Sequence, residues 1–338
     1  MTRKERIQAA LTGADVDRVP INVWMHFSAH DQDPRSLADA QVQFAKTYDF
    51  DFIKLMPFGL YGVQDYGAKI KIFCQSGQPP VIDDYGIHDA GDWGRLKVLP
   101  AFYGSYGKQV QLAQYVVDRS RGAWPVIQTI FSPLTTAYKL AGDRIKEDMQ
   151  ETPELFKQAL EVITETTINF VKANIEAGVD GFFFATQCAR HDYLSEALYE
   201  EFGAAYDLRV MDSYKDKTFF NVVHPHGNHI MFQRIAQYPV PCINWHDRWV
   251  SPSLAEARNL TDKCLLGGIR EIPYYDIAGN EIRGSPLDTG TEAELKAHLE
   301  EAVRIGGRKS LILGPGCVAG QHTPPQNLHV LRRAVETL

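Results

Sequence analysis

Cysteine is scarce in this chain, with five in 338 residues, at Cys74, Cys188, Cys242, Cys264 and Cys317. Their odd number and wide scatter argue against a disulfide scaffold and suit a reducing cytoplasm. Basic charge is also short. A formal net charge of -7 leaves no electrostatic footprint for nucleic acid or for an anionic membrane surface. No apolar run approaches the roughly 18 residues of a membrane span. The opening Met1-Thr-Arg-Lys-Glu-Arg6 leads into a polar helix rather than the apolar core of a signal peptide. Neither G-x-G-x-x-G after a strand nor G-x-x-x-x-G-K-[ST] occurs, so phosphate-cradle readings lack support. Low-complexity tracts and repeats of a solenoid period are missing too.

What is present is a soluble globular composition, 44% hydrophobic and 23% charged, enough for a sizeable core. Short apolar runs at residues 19–24, 52–56, 125–131, 181–186, 218–223, 240–245, 264–268 and 310–314 read as strands. Helical stretches alternate with them. The strongest covers 153–177, where Phe156, Leu160, Ile163, Thr167, Phe170, Val171 and Ile175 recur at three and four until Gly178 stops the helix. Thr291 and Glu294 form a capping box for another at 291–305. Eight strands alternating with helices predict parallel β/α units and one (β/α)8 TIM barrel, a single domain over residues 1–338. A doubly wound sheet is the alternative. Residues 58–122 hold many Gly, Pro and Tyr and show no long periodic run. They read as an elaborated loop region after the second strand, with a small hairpin at 68–73 and Cys74 inside it.

Chemistry concentrates in His224-Pro-His226-Gly227, directly after an apolar strand. Side chains two apart on a strand share a face, so both imidazoles can aim at one point. Two strand-end histidines could equally serve only backbone or water. Cys317, at the end of the last strand in Leu313-Gly-Pro-Gly-Cys317, adds a soft donor beside glycines that permit close backbone approach. Two imidazoles and one thiolate suit Zn2+, with a fourth position open to substrate. His246 or Asp247, ending the sixth strand, could fill that position. Barrel active sites sit where strands end, and the same rim should carry His26, Met56, Gln128, Thr186, Gln187 and Arg270. Cys242 and Cys264 lie inside apolar strands and read as core, while Cys188 is ambiguous. Trp24, Phe27, Phe58, Tyr61, Phe131, Trp245, Trp249 and Tyr274 supply aromatics for packing or for an apolar substrate.

These residues also carry a resemblance. Asp17-Arg-Val-Pro20, Phe131-Ser-Pro-Leu-Thr-Thr136, Gly181–Gln187 followed by Leu194-Ser195, His224-Pro-His-Gly227 and Ile312-Leu-Gly-Pro-Gly-Cys317 leading to Thr323-Pro-Pro resemble the uroporphyrinogen decarboxylase superfamily. The resemblance runs from the first helix to the last and implies a (β/α)8 barrel. It points to the branch of zinc-dependent methyltransferases that exchange methyl groups with corrinoid (cobalamin) proteins. That branch binds zinc through His-x-Cys after strand five and Cys after strand eight; here His224 and Cys317 match, and His226 stands where the first cysteine would be. The decarboxylases proper carry arginines after the first strand and a histidine in the last Gly-x-Gly turn. This chain has Trp24-Met-His-Phe-Ser-Ala-His30 and Pro315 there, which speaks against porphyrinogen decarboxylation.

The expectation is therefore a zinc-dependent methyltransferase or demethylase. It would move a methyl group between a small donor or acceptor, with methoxylated aromatics as candidates, and a corrinoid-bearing partner protein. His224, His226 and Cys317 would hold Zn2+, and Asp247, His246 or Gln187 would orient the substrate or handle its proton. A decarboxylase-like lyase on a different acid, and a non-catalytic binding barrel, are the competing readings. A homodimer is kept open.

Overall fold

The computed structural model describes residues 1–73, 78–276 and 278–338. Cys74 lies outside the described residues. Seven parallel strands form one sheet in the order Ile53–Lys54, Val126–Phe131, Gly181–Thr186, Val222–Pro225, Cys242–Asn244, Cys264–Ile269 and Leu311–Pro315. The two edges of this sheet meet through the segment expected as the first strand. That segment is reduced to a bridge between Ile21 and Leu313. Asn22 N–H donates to Leu313 O at 2.9 Å, and Leu313 N–H donates to Pro20 O at 2.8 Å. On its other side Asp51 N–H donates to Ile21 O at 3.0 Å, and Ile21 N–H donates to the Asp51 carboxylate at 2.8 Å. Pro20 has no N–H to offer a ladder, and Asp51 replaces a ladder partner with a side chain. The result is the closed α/β barrel expected from the strand count, with its first strand shortened.

Strand parity sorts the apolar residues into two cores. Phe52, Met56, Ile127, Phe183, Val222, Cys242, Cys264 and Ile312 fill the inside of the barrel, and Ile7 and Ala10 of the first helix (Arg3–Thr12) pack onto the same cluster. Ile53, Phe182, Phe184, Val223 and Ile243 face the helices and belong to the larger outer core. Cys242 and Cys264, paired across neighbouring strands, are fully buried, as expected of core cysteines. Burying a Phe or Val side chain contributes roughly 1.5–3 kcal/mol, so both layers are strongly specified.

Residues 58–122 depart from the expectation of an irregular loop. A hairpin pairs Lys69–Lys71 with Val81–Asp84, reaching further along the chain than the expected 68–73. Gly104–Ser120 is a 17-residue helix whose Tyr106, Val110, Ala113 and Val116 are buried. Its pattern was obscured by Gly104, Ser105, Gly107 and the buried Gln109, which dilute the apolar period. The expected 195–214 helix runs as Glu196–Tyr199, a π-type turn at Glu200–Ala204, and Ala205–Asp212. No helix is long and apolar enough to cross a membrane among the described residues.

Candidate metal centre and cavity

The Val222–Pro225 strand carries His224 on the same parity as Val222, which places its ring above the barrel's inner core, 5.2 Å from the Phe183 ring. His246 follows the Cys242–Asn244 strand and Cys317 follows Leu311–Pro315. One donor atom from each of His224, His246 and Cys317 lies within 4.8 Å of the other two. This triangle is compact enough for a single cation.

His226 stands beside the triangle, outside it. Its ring centroid is 4.8 Å from that of His246 and 5.7 Å from that of His224. The ladder ends at Pro225, and Gly227 turns the chain with φ of 105°. His226 N–H donates to Thr186 O at 2.9 Å. The strand alternation that was to aim both imidazoles at one point therefore stops one residue before His226. The expected pair of His224 and His226 becomes, in the grouping of donor atoms, His224 with His246.

Each imidazole of the triangle has the character of a free donor. His246 Nδ1 faces Glu271 Oε1 at 3.4 Å, and its Nε2 is buried with no hydrogen-bond partner. A carboxylate at Nδ1 holds the N–H there and leaves the Nε2 lone pair available. Burial, then the neighbouring His246 and His226, push the His224 pKa well below its ordinary value, so this ring is neutral; its Nδ1 is likewise buried without a partner. The Cys317 thiol is pushed up to about 12, mainly by burial and then by Glu271, with Lys54 acting in the opposite sense. A divalent cation reverses that balance, because a coordinating thiol is deprotonated.

Glu271 had no signal in the sequence beyond following a strand, yet it ties three segments together. Besides His246 it accepts from Trp249 Nε1 at 3.3 Å and from Gly316 N–H, next to Cys317, at 3.2 Å. Partners of this kind orient metal-ligating histidines, and their loss typically costs 10–100-fold in metal affinity. If the triangle holds a metal ion, Glu271→Gln is expected to weaken its retention by about 10-fold or more, read by competition with a chelator. Retention equal to the wild type would remove Glu271 from this role.

Asp247 has a different task from the proton handling expected of it. Its carboxylate is buried and accepts from Gly268 N–H at 3.0–3.1 Å. A Cβ on Gly267 would come within 2.5 Å of Asp247 Oδ1, so the glycine makes room for it. Burial raises its pKa to about 7, but the group pins the His246 turn to the next strand and does not line the cavity. Gln128 is also turned away, bonded to Asn174 at 2.9 Å. The Arg270 guanidinium ties down the carbonyls of Arg248, Ile272 and Pro273.

A cavity of ≈320 Å³ opens over the centre, lined by His224, His226, Cys317, Gln187 and His26, with aromatic walls from Trp24, Phe131 and Phe183. Of the other expected aromatics, Phe58, Tyr61 and Trp245 are core, and Trp249 lies 4.3 Å from the His246 ring. Two lysines, Lys54 and Lys139, also line the cavity. Lys54 interrupts the apolar run Phe52–Met56 on the inward parity, a signal that was there to use. Lys139, on the Pro133–Ala141 helix, had none. Burial lowers the pKa of each to about 7.

Comparison with known proteins agrees with this architecture. The uroporphyrinogen decarboxylase (URO-D) family matches residues 2–338. The methylcobamide:CoM methyltransferase MtbA of Methanosarcina mazei is 23% identical over 97% of this chain and 95% of its own length. MtaA of Methanosarcina barkeri, with the same activity in its name, is 23% identical over 98% and 96%. Among solved structures, a methyltransferase from Methanosarcina mazei superposes with a TM-score of 0.83 at 20% identity, covering 99% of this chain and 98% of that one. A B12-independent methionine synthase from Shewanella superposes at 0.57 with 14% identity, over 94% and 92%.

Proposed function

Because the chain belongs to the uroporphyrinogen decarboxylase (URO-D) family, and its relatives include methylcobamide:CoM methyltransferases, we propose that it is a corrinoid-dependent methyltransferase. It moves a methyl group between a small heteroatom substrate and the cobalt of a corrinoid protein that docks over the barrel mouth. The reading takes the whole chain as one domain. Zn2+ is held by His224, His246 and Cys317, with His226 adjacent. The observations that carry the assignment are the grouping of one donor atom each from His224, His246 and Cys317 within 4.8 Å and the partnerless, buried Nε2 of His246, whose Nδ1 faces Glu271.

Bound zinc supplies Lewis acidity to a substrate oxygen, sulfur or nitrogen, favouring departure of the demethylated product or, in the reverse direction, nucleophilic attack. The protein's own groups do the rest. Glu271 fixes the orientation of His246. Lys54, steadied by Thr129 Oγ1 at 3.0 Å, faces the Cys317 thiol electrostatically. Trp24, Phe131 and Phe183 provide flat walls that suit a methoxylated aromatic donor. Gln187 lines the cavity and is positioned to orient the substrate. Uroporphyrinogen itself is a poor match. A tetrapyrrole with many carboxylates calls for paired cations, and among the described residues no arginine lines the ≈320 Å³ cavity.

The test is spectroscopic. Zinc-loaded protein mixed with a reduced corrinoid partner and a panel of methyl ethers, thiols and amines should generate methylcobalt, and methylcobalt should transfer back to thiols or phenols. A silent cobalt spectrum in both directions, with zinc bound and a cognate partner present, would move the assignment to a lyase.

A further inference from the structure

The turn after the shortened first strand buries a carboxylate that no basic side chain of the described residues neutralises. Phe27 O accepts from His30 N–H at 2.7 Å and His30 O from Asp33 N–H at 3.1 Å, so residues 27–33 fold tightly before the helix Pro34–Tyr48. Asp33 caps that helix, its side chain accepting from Arg35 N–H at 2.9 Å. Asp31 has no such task. It is 6% exposed, and among the described residues its carboxylate accepts only from its neighbour Gln32, Nε2 to Oδ1 at 2.8 Å. Burial holds its carboxyl above the usual range, and Gln32 acts in the opposite sense. The carboxylate borders a side pocket of ≈220 Å³, walled by Ser28 and Asp31, by Pro79 and Pro80, and by residues 318–321. Ala319 N–H donates to Trp24 O at 3.0 Å and Gln321 Nε2 to Ser28 Oγ at 2.7 Å, which ties the segment after the last strand to the first. Among the described residues the other titratable group of the lining is His26, kept neutral because burial, then Lys54 and Lys139, lower its pKa to about 4.

We propose that this side pocket binds the primary ammonium group of a small organic amine, with Asp31 as its counter-ion. The site stands apart from the methyl-transfer reading, because Asp31, Ser28 and Gln321 lie outside the His224, His246 and Cys317 triangle. A buried carboxylate without a cation is costly, and an entering ammonium supplies one. An ionised carboxylate accepts at both oxygens, so Gln32 leaves Oδ2 for the ligand. Ser28 Oγ and the Gln321 side-chain oxygen, which the bond from Gln321 Nε2 to Ser28 leaves as an acceptor, stand in the same lining. Together they match the three N–H donors of an ammonium. A guanidinium pairs best with both carboxylate oxygens at once, and Gln32 holds one of them. A hard divalent cation asks for about six oxygen ligands or more, and the described lining offers one carboxylate. Pro79, Pro80, Val318 and Ala319 supply apolar surface for a short aliphatic chain. His26, Pro79 and Val318 also line the ≈320 Å³ cavity, so the two spaces share a wall.

Butylammonium, butylguanidinium and neutral butanol are the probes, titrated calorimetrically at neutral pH into the whole protein, wild type and Asp31→Asn, with and without added zinc. The expected result is butylammonium binding wild type about tenfold or more tighter than butanol, the scale of one charge-assisted hydrogen bond, and equally well with or without zinc. Asp31→Asn keeps the shape of the side chain and removes its charge, so it should erase the preference; a urea midpoint establishes that the variant is folded. Equal binding of butylammonium and butanol to wild type overturns the proposal without recourse to any variant, as does no binding of butylammonium. Tighter binding of butylguanidinium, or a preference that survives in folded Asp31→Asn, overturns it too. A preference that appears only with zinc places the amine on the metal and overturns it as well. Asp31-dependent amine binding in protein that transfers no methyl group supports the site and defeats only the methyl-transfer reading.

Discussion

Cys317→Ser and His246→Ala are each expected to reduce bound zinc from about one per chain to near zero after dialysis against a weak chelator, with loss of methylcobalt formation. An open zinc site needs three protein ligands, and each of these changes removes one from a triangle in which all donors lie within 4.8 Å. His226→Ala is the informative control. Its ring lies 4.8 Å from His246 but outside the triangle, so this variant should keep most of its zinc. The opposite pattern, zinc lost in His226→Ala and kept in His246→Ala, would restore the pair read from the H-x-H motif. Metal content by mass spectrometry decides between them. The pH dependence has a definite sign. A zinc ion held as proposed would need the thiolate and the neutral imidazoles, so protons should compete and metal should leave as pH falls.

Asp51→Ala should be the most destabilising single change outside the centre, at about 3–5 kcal/mol, the range for breaking a buried ion pair. Asp51 is fully buried. It accepts from Arg6 at 2.8 Å, from Arg18 at 2.7 and 2.9 Å, and from Ile21 N–H at 2.8 Å. Its removal takes from the buried Arg18 both of its short carboxylate bonds, leaves Arg6 with Asp17 and Met1 O, and frees the Ile21 N–H at the point where the barrel closes. Asp17, whose carboxylate also meets Arg6 but is 39% exposed, should matter far less when changed to alanine. Urea unfolding of the two variants measures the difference. A loss for Asp51→Ala of under about 1 kcal/mol, the scale of a surface pair, would mean that closure does not depend on this network.

The sequence alone determined the alternation of strands and helices and hence the barrel, because apolar period and helix stops are local properties. It also marked His224 and Cys317, since each stands where an apolar run breaks off at Gly and Pro residues. It did not expose the helix Gly104–Ser120, whose glycines and buried Gln109 blur the period. Which histidine joins His224 was beyond it. His226 and His246 lie two and 22 residues from His224 in the chain, and only the end of the ladder at Pro225 and the approach of the next strand place His246 in the triangle. Glu271, Lys54 and Lys139 acquire their significance in the same way. A glutamate after a strand, a lysine within one and a lysine on a helix carry no shared pattern along the chain. The tertiary structure decided their surroundings, because burial and pairing depend on what closes over each charge, and that is set by distant segments brought together at one end of the barrel.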